Sequence, residues 1–401
     1  MLDPEFTPAR HAAECSNEYP KEATAATPTL PDKIRAEIAS RGPLAFPEFM
    51  AMALYEPGLG YYAREPRQVG RNGDFFTSVS VGPLFGHLLA RRFLQWKRET
   101  GISGPWRILE IGAHDGTLAA DILDALSTLD ETAFSELEYT ILEPQAASQA
   151  AQHQKLSAFS GKIRIIDSLE TLTPLPGIVF GNEVLDALPF HLVEWRSGLW
   201  HELHVTANDH GFSWESHPIP ETSALAEKLA RLGTAFPEGY RTELRTNFRD
   251  FLAPLVRAMG RSLFIWPDYG FARPDYYHPD RTAGTLRTFS QHRAASDPLD
   301  TPGEIDITAH VDFTDLAETS LSLGGTALAF ARQGTWLTHV GKDWLLSMEG
   351  TVDPAKLRQF QTLTHPAHLG GSFHVLECRF SDPAAPPASA ADLHRLTLAG
   401  T

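Results

Sequence analysis

The sequence contains only two cysteines, Cys15 and Cys378, among its 401 residues. Two cysteines exclude a disulfide framework and a cysteine-rich metal site, and they fit a reducing, cytoplasmic setting. The 17 histidines are scattered, and no His-x-x-x-His or Cys/His spacing indicates zinc. We therefore expect a cytoplasmic protein without a metal site.

Basic residues are also scarce, since 34 lysines and arginines stand against 50 aspartates and glutamates, for a formal net charge of −16. General binding to nucleic acid needs a basic surface that replaces the counterions of the phosphates, so we expect no nucleic-acid partner. A basic protein substrate is compatible with this charge. No apolar run reaches the roughly 18 residues of a membrane span, and the N-terminus lacks the basic and then apolar pattern of a signal peptide.

Apolar strands alternate with helical patterns through much of the chain. This alternation indicates a parallel sheet with helices on both faces, so the predicted fold class is α/β. The predicted strands are residues 106–111, 138–142, 163–166, 177–180, 262–266, 326–330 and 373–380. The predicted helices are residues 31–40, 84–99, 118–126 with Thr117 as N-cap, 146–156 and 248–259.

The regularity breaks after Pro189. Two β-like runs within residues 190–205 flank a turn at Ser197 and Gly198, which predicts an antiparallel hairpin inserted between core elements. Residues 1–30 show no periodicity and predict a disordered arm. The remaining predicted divisions are a helical cap and lid segment at 31–100, a core at 101–381 with a β insertion at about 190–245, and a Pro/Ala-rich tail at 382–401.

The stretch from Glu110 to Leu118 reads Glu-Ile-Gly-Ala-His-Asp-Gly-Thr-Leu and follows a predicted strand. Open α/β sheets bind ligands beyond the carboxyl ends of their strands, where Gly112 and Gly116 would let the backbone approach a nucleoside cofactor. An ordinary strand-to-helix turn explains this stretch equally well. Neither Gly-x-Gly-x-x-Gly nor Gly-x-x-x-x-Gly-Lys-Ser/Thr occurs here, which argues against nicotinamide dinucleotides and P-loop nucleotides.

Polar residues end the next two predicted strands. Glu143 is placed to accept both ribose hydroxyls of a nucleoside, a role we favour over that of a carboxylate at a helix start. Asp167 and Ser168 end the third strand, where they could meet an adenine amino group or serve equally well in a turn or cap.

The segment 182–189, Asn-Glu-Val-Leu-Asp-Ala-Leu-Pro, ends the fourth predicted strand. Glu183 and Asp186 lie three residues apart, so both could share one helical face. Paired carboxylates can grip a guanidinium by charge-assisted hydrogen bonds and hold one nitrogen in line with a methylsulfonium. Capping of a helix start is an equal alternative.

Four blocks in this order resemble the MidA-like methyltransferase family, which includes the mitochondrial complex I assembly-factor arginine methyltransferase. The resemblance runs from about residue 38 to about residue 375. Its blocks are Tyr-Glu-Pro-Gly-Leu-Gly-Tyr-Tyr at 55–62 with 73–78 and 85–86, the stretch 110–118 with 143–144, the segment 182–189, and the series 268–271, 284–287, 292–293, 306–313 and 333–334.

The resemblance implies a class I methyltransferase fold, Rossmann-like with a mostly parallel seven-stranded sheet, and S-adenosylmethionine as cofactor. It also implies direct in-line methylation of a protein side chain, with arginine favoured, and a role in maturing respiratory complex I. Glu110, Gly112, Gly116 and Thr117 look like the cofactor loop, Glu143 like the ribose acid, Asp74, Thr77 and Ser78 like a lid, Asn182, Glu183 and Asp186 like the substrate-facing loop, and Asp268, Tyr269 and His310 like crevice residues. For these last three, a hydrogen-bonding role within the scaffold is at least as good.

One departure from the family pattern falls in the cofactor loop. The family's Gly-Pro-Gly-Arg-Gly is Gly-Ala-His-Asp-Gly here, so His114 replaces the middle glycine. A side chain there could crowd the methionine moiety or force a different backbone path. Two alternatives therefore stand beside protein methylation, namely a binding or assembly module without catalysis and a small-molecule methyltransferase. The oligomeric state stays open.

Overall fold

The structure is a computed structural model that describes residues 28–64, 77–290, 293–294, 297–348 and 353–380. The predicted arm up to residue 27, the predicted lid residue Asp74 and the predicted tail lie outside the described residues. Within the described ranges, no helix has the length and apolar character needed to cross a membrane.

The described residues form sixteen strands and fourteen α-helices. The strands are β1 (Leu44–Ala45), β2 (Trp106–Ile111), β3 (Leu137–Leu142), β4 (Ile163–Ile166), β5 (Gly177–Phe180), β6 (His191–Arg196), β7 (Leu199–Asn208), β8 (Gly211–Pro218), β9 (Arg241–Leu244), β10 (Ser262–Phe271), β11 (Arg287–Ser290), β12 (Arg293–Ala294), β13 (Asp306–Thr308), β14 (Val311–Asp312), β15 (Gly325–Arg332) and β16 (Phe373–Phe380). The helices are α1 (Leu30–Arg41), α2 (Phe46–Tyr55), α3 (Leu84–Thr100), α4 (Thr117–Leu129), α5 (Glu131–Ser135), α6 (Ala146–Lys155), α7 (Ala224–Leu229), α8 (Phe248–Ala258), α9 (Arg273–Tyr276), α10 (Phe313–Ser322), α11 (Gln333–Val340), α12 (Lys342–Ser347), α13 (Pro354–Thr364) and α14 (Leu369–Ser372).

The central sheet has the strand order β15-β16-β10-β5-β2-β3-β4, and β14 also pairs with β10. Strands β10, β5, β2, β3 and β4 run parallel, whereas β16 runs antiparallel to both β10 and β15. The fold is therefore a mixed α/β fold. The expectation of seven strands is corrected to eight, because the two-residue β14 is too short to leave a periodic signal in the sequence.

Helices cover both faces of this sheet. Neighbouring residues in a strand point to opposite faces, and in β2 the buried residues Ile108 and Leu109 belong to two different core clusters. The first cluster takes in α3, α4 and α11, and the second takes in α8 and α10. Each large apolar side chain buried in this way contributes about 1.5–3 kcal/mol. Strands covered on both faces therefore read as continuous apolar runs.

The start of α4 differs from the prediction. Thr117 is the first helical residue, and Gly116, with φ of 86°, occupies the N-cap position. The assignment of Thr117 as N-cap is wrong by one residue, because the glycine takes the left-handed conformation at which the loop turns into the helix. The N–H of Thr117 donates instead to Asp115 Oδ1 at 2.9 Å.

A second, antiparallel sheet contains β1, β7, β6 and β9, with β8 paired to β7. The predicted hairpin is confirmed by β6 and β7, whose turn residues Ser197 and Gly198 have φ of 49° and 81°, as a type I′ turn requires. Helices α1 and α2 share a core cluster with this sheet, whereas α3 packs in the core of the central sheet. A third sheet has the order β12-β11-β13. The domain boundaries stay a prediction.

Candidate active site

The carboxyl ends of β2, β3, β5 and β10 lie at one edge of the central sheet, because these strands run parallel. Open α/β sheets bind their ligands at this edge. The segments that follow β2, β3 and β5 carry the predicted cofactor and substrate residues, so the fold brings them to one crevice.

The loop between β2 and α4 has three residues in the left-handed region, with φ of 68° at Gly112, 49° at His114 and 86° at Gly116. A Cβ on Gly112 would lie 2.8 Å from Cγ2 of Val184, so a side chain does not fit there. Glycine reaches this φ without cost, whereas His114 adopts it at a strain of about 1–2 kcal/mol. The His114 side chain is 39% exposed. This φ argues against the different backbone path expected from the replacement.

Gln152, on α6, holds the cofactor loop and Glu143 together. Its Nε2 donates to the His114 carbonyl at 2.9 Å and to Glu143 Oε2 at 3.2 Å. Glu143 Oε1 accepts the N–H of Gln145, the N-cap of α6, at 2.8 Å, which fits the alternative of a carboxylate at a helix start. Burial raises the pKa of Glu143. Each carboxylate oxygen has further acceptor capacity, so the ribose role stays a prediction.

Glu110 points into the core rather than into open space. Its Oε2 accepts the hydroxyl of Tyr139 at 2.6 Å, and only 2% of the residue is exposed. Burial raises the pKa of Glu110 to about 8, so this carboxyl is protonated over much of the neutral range. Its direct part in cofactor binding stays a prediction.

Asp167 and Ser168, the two residues after β4, differ in their surroundings. The Ser168 hydroxyl accepts the Glu170 N–H at 3.3 Å and caps a short 3₁₀ turn, which is the cap alternative for this residue. Asp167 is exposed at the same edge of the sheet. Contact of either residue with an adenine stays a prediction.

The two described lid residues are tied into local structure. Thr77 accepts the Ser80 hydroxyl at its carbonyl, at 2.8 Å. Ser78 is fully buried, and its hydroxyl donates to Gln333 Oε1 at 3.1 Å. The Ser78 side chain is therefore used within the scaffold, and the lid role of this segment stays a prediction.

Asp268, fully buried in β10, shapes the segment 182–189. Its Oδ2 accepts three successive backbone N–H groups, those of Val184, Leu185 and Asp186, at 3.2, 2.9 and 3.2 Å, and its Oδ1 accepts the Tyr269 N–H at 2.7 Å. These bonds match the scaffold alternative for Asp268. They also hold the segment as a loop, with φ of 55° at Glu183. The shared helical face predicted for Glu183 and Asp186 is therefore wrong.

Besides Asp268, three carboxyl groups lie at this loop, and we call Glu183, Asp186 and Asp306 the acidic cluster. Burial raises the pKa of Glu183 to about 8, and the charges of Asp186 and Asp306 raise it further. Asn182 Nδ2 donates to Glu183 Oε1 at 2.9 Å and opposes that rise. Burial raises the pKa of Asp186 to about 6, against the opposite effect of Arg245. The acidic cluster therefore places several ionisable carboxyl groups at one point of the crevice.

Two tyrosines border the acidic cluster. The Tyr62 hydroxyl donates to Asp306 Oδ1 at 2.7 Å, and the Tyr55 hydroxyl donates to the Ala187 carbonyl at 2.8 Å. Their rings stack with centroids 5.7 Å apart. Burial, and then the charge of Asp306, raises the pKa of both hydroxyls, so they stay neutral donors.

Arg245 ties the loop to the chain near His310. It is buried and donates to four backbone carbonyls, those of Asp186, Leu188, Ala309 and His310, at 2.7–3.2 Å. Its charge also lies close enough to lower the pKa of Asp186. Arg245 thus fixes the position of the loop and offsets part of its negative charge.

Tyr269 and His310, the other two predicted crevice residues, pack against aromatic neighbours. The Tyr269 ring lies 3.9 Å from that of Phe373 and 6.1 Å from that of His310, nearly parallel to the latter. Burial, with the charges of Arg287 and Arg281, lowers the pKa of His310 to about 4, so its imidazole is neutral at pH 7. Their crevice role stays a prediction.

Five residues of this site were missed in the sequence, namely Tyr55, Tyr62, Gln152, Arg245 and Asp306. Both tyrosines and Asp306 fall within the resemblance blocks, and that is the one signal that could have singled them out. Among the described residues, no group of three or more His, Cys, Asp or Glu side chains is arranged to hold a metal.

Known proteins resemble this chain in both sequence and structure. The mitochondrial protein arginine methyltransferase NDUFAF7 homolog of Drosophila melanogaster is 28% identical over 402 residues, covering 93% of this chain and 89% of that protein. NDUFAF7 of Rattus norvegicus, also a mitochondrial protein arginine methyltransferase, is 25% identical and covers 90% and 86%. The crystal structure of a Burkholderia thailandensis protein bound to S-adenosyl-homocysteine matches with a TM-score of 0.79 at 32% identity, covering 90% and 96%.

These relatives correct one expectation and decide two others. The predicted cytoplasmic setting is wrong, because the curated relatives are mitochondrial proteins. Residues 88–330, more than half of the chain, match the family described as S-adenosyl-L-methionine-dependent methyltransferases. Together with the S-adenosyl-homocysteine bound by the structural neighbour, this match shows that the cofactor is S-adenosylmethionine. The chain thus belongs to the family of S-adenosyl-L-methionine-dependent methyltransferases and is an enzyme of that class.

Proposed function

We propose that this enzyme methylates an arginine side chain of a protein, and that the acidic cluster binds the guanidinium. The observation that carries the proposal is the acidic cluster itself, placed beside the cofactor loop. Val184 directly follows Glu183 in this loop, and a Cβ placed on Gly112 would lie 2.8 Å from Cγ2 of Val184. The names of the curated relatives, which are protein arginine methyltransferases, support the same substrate class.

The cofactor side of the crevice fits a nucleoside with an amino-acid tail. Gly112 and Gly116 leave room for close approach of the backbone, and Glu143 retains acceptor capacity for ribose hydroxyls. Thr117 is part of the positive end of α4, and Asp167 with Ser168 lies at the edge where an adenine would end. When bound, S-adenosylmethionine supplies the electrophilic methyl group.

The protein's contribution is mostly positioning. Glu183 and Asp186 would accept N–H groups of the guanidinium, and the stacked rings of Tyr55 and Tyr62 would limit access of water from one side. A cationic guanidinium favours the ionised form of both carboxyls. As the attacking nitrogen forms its bond to carbon it must lose a proton, and we assign that proton to the Glu183 carboxylate. Asn182 orients this carboxylate through its Nδ2.

Two finer features are proposed on the resemblance. The first is that the seven strands on the main path of the eight-stranded central sheet correspond to the sheet of class I methyltransferases, and that the short β14 is an addition beside β10. The second is a substrate that belongs to respiratory complex I, as implied by the assembly-factor relative. A small-molecule substrate has less support, because the curated relatives are named for protein substrates.

The test uses two peptides that differ only in one residue, arginine in the first and lysine in the second. The full chain is incubated with S-adenosylmethionine that carries a labelled methyl group, and mass spectrometry locates the label. We expect methylation of the arginine peptide alone. Glu183→Gln should lower kcat at least about 100-fold, the size of a lost proton acceptor, and leave the Kd for S-adenosylmethionine unchanged. The exposed Glu170→Gln is the matched control. Equal labelling of the lysine peptide would sink the proposal.

A further inference from the structure

A groove of about 1050 Å³ opens where β10 ends and β16 begins. We call it the arginine groove, because Arg281, Arg287 and Arg332 line it, together with Phe271, Phe330 and His374. Its volume lies at the upper end of the range found for ligand pockets.

The arginines of this groove lack carboxylate partners among the described residues. No Asp or Glu oxygen lies within 4.0 Å of Arg281, Arg287 or Arg332 there, in a chain whose net charge is −16. Within the part of the chain that the structure describes, Arg281 and Arg287 donate only to backbone carbonyls, those of Asp275 and Leu286. Arg281 Nε is buried without a partner in the described part of the chain, and its guanidinium lies 4.5 Å from the ring of Phe271.

The groove also holds two aspartates, Asp275 and Asp280, both exposed. Asp280 Oδ2 lies 3.7 Å from His278 Nδ1, and within the described ranges no nitrogen of the three arginines lies within 4.0 Å of an Asp280 oxygen. The arginines therefore stay available to an anionic ligand, and guanidinium groups bind carboxylates with two parallel hydrogen bonds.

The groove continues the crevice of the acidic cluster. The Phe271 ring lies 5.1 Å from that of His310, and the His310 ring stacks on that of Tyr269. Tyr269 in turn is close enough to Glu183 and Asp186 for their charges to raise the pKa of its hydroxyl. Tyr269 and His310 therefore form the wall between the two binding regions.

We propose that the arginine groove binds an acidic segment of the protein substrate while the acidic cluster holds the arginine to be methylated. This inference rests on the proposed function and names its substrate class, a peptide in which aspartate or glutamate lies near the target arginine. The two regions have opposite charge, so a peptide with the complementary order of charges fits them in one orientation only. Charge complementarity of this kind contributes specificity as well as association rate.

The binding test uses fluorescein-labelled peptides and the full chain. One peptide carries a single arginine with glutamates on both sides, the second has glutamine in place of each glutamate, and the third keeps the glutamates but has alanine for arginine. By fluorescence anisotropy, we expect the Kd of the first and third peptides to be at least tenfold lower than that of the second. The advantage should shrink as salt is added. Equal affinity for the acidic and neutral peptides would overturn the proposal.

The variant test combines Arg287→Glu with Arg332→Glu, two exposed arginines without ion pairs in the described part of the chain. We expect at least a tenfold rise of KM for the acidic peptide, with kcat and the KM for the neutral peptide unchanged. Arg358→Glu, an exposed arginine outside the groove, is the matched control. Retained binding of S-adenosylmethionine confirms that the double glutamate variant folds. If this binding is lost, Arg287→Gln combined with Arg332→Gln is used in its place. If the double variant has the wild-type KM for the acidic peptide, the proposal that the arginine groove binds the acidic segment is refuted.

Three outcomes separate this inference from the proposed function. In the first outcome, the alanine peptide binds through its glutamates but no peptide is methylated. This result would support the arginine groove and refute the proposed arginine methylation. In the second outcome, both arginine peptides are methylated at equal kcat/KM. This result would support the proposed arginine methylation and refute the arginine groove. A single-stranded oligonucleotide that binds more tightly than the acidic peptide, in a manner abolished by the double variant, would overturn the proposal in favour of nucleic acid.

Discussion

The cofactor half of the crevice comes from one continuous stretch of chain, whereas the substrate half is collected from distant ones. Gly112, Gly116, Glu143 and Gln152 lie within about forty residues, on consecutive β–α units. The acidic cluster and its neighbours come from α2, the turn after it, the loop after β5, the region of Arg245 and β13. In the proposed assignment, local structure therefore holds the cofactor, whereas contacts between distant parts of the chain hold the substrate.

The largest expected effect lies in the substrate half, at the buried Asp268. Two carboxyl oxygens of Asp268 accept four backbone N–H groups, and Asp268→Asn replaces one of these oxygens by an NH₂ donor. A buried donor left without an acceptor costs about 1–3 kcal/mol, so we expect a loss of roughly 3 kcal/mol in the free energy of unfolding. Urea titration of the variant measures it, with the exposed Asp209→Asn as control. If Asp268→Asn is as stable as wild type, the loop does not depend on this carboxylate.

The second prediction concerns the cofactor half. Glu143→Ala removes the acceptor proposed for the ribose hydroxyls and the bond to Gln152. We expect at least a tenfold rise in the Kd for S-adenosylmethionine, about 1.4 kcal/mol, measured by calorimetry. Glu170→Ala, an exposed glutamate after β4, should leave the Kd unchanged. Unchanged affinity of Glu143→Ala would assign the carboxylate to the start of α6 alone.

The third prediction concerns pH. The pKa of Glu183 is raised from an ordinary 4.5 to about 8, so its contribution to stability is fully present below pH 4.5 and is lost as the pH rises through about 8. Glu183→Gln should therefore gain stability relative to wild type between pH 5 and pH 9. The kcat/KM of the wild type should rise over the same interval, because the proton acceptor must be ionised.

Glu110 and Asp186 also have raised pKa values and titrate in this interval. The difference between wild type and Glu183→Gln, rather than either curve alone, isolates the Glu183 contribution. Parallel stability curves for the two proteins would contradict the burial of this carboxyl.

The smallest effect is expected at His114. His114→Gly relieves the left-handed strain, about 1–2 kcal/mol, but it also makes the unfolded chain more flexible, which offsets about 0.5–1 kcal/mol. We therefore expect a gain of about 0–1.5 kcal/mol in the free energy of unfolding. The Kd for S-adenosylmethionine should change less than threefold. A tenfold tighter Kd in the variant would show that the imidazole crowds the cofactor after all.

Local patterns were the part of the fold that could be predicted most closely. The predicted bounds of β2, β4, β5 and β16 agree with the structure residue for residue, because most side chains of these strands are apolar and at least partly buried. Errors fell where tertiary contacts override local preference. Thr117 is a good N-cap residue, yet Gly116 takes that position, and Glu183 and Asp186 have helical spacing, yet the Asp268 carboxylate binds the N–H groups that a helix would begin with.

The sequence alone therefore determined the core strands that carry apolar runs, the glycines of the predicted cofactor loop and the acid after β3, because each depends on neighbours only a few residues away. The tertiary structure alone decided which side chains surround the acidic cluster. Tyr62 donates to Asp306 across 244 positions, and Arg245 binds the loop at Asp186 across 59. Such pairs leave no periodic trace in the sequence, because their partners are chosen by how the sheets pack and not by spacing along the chain.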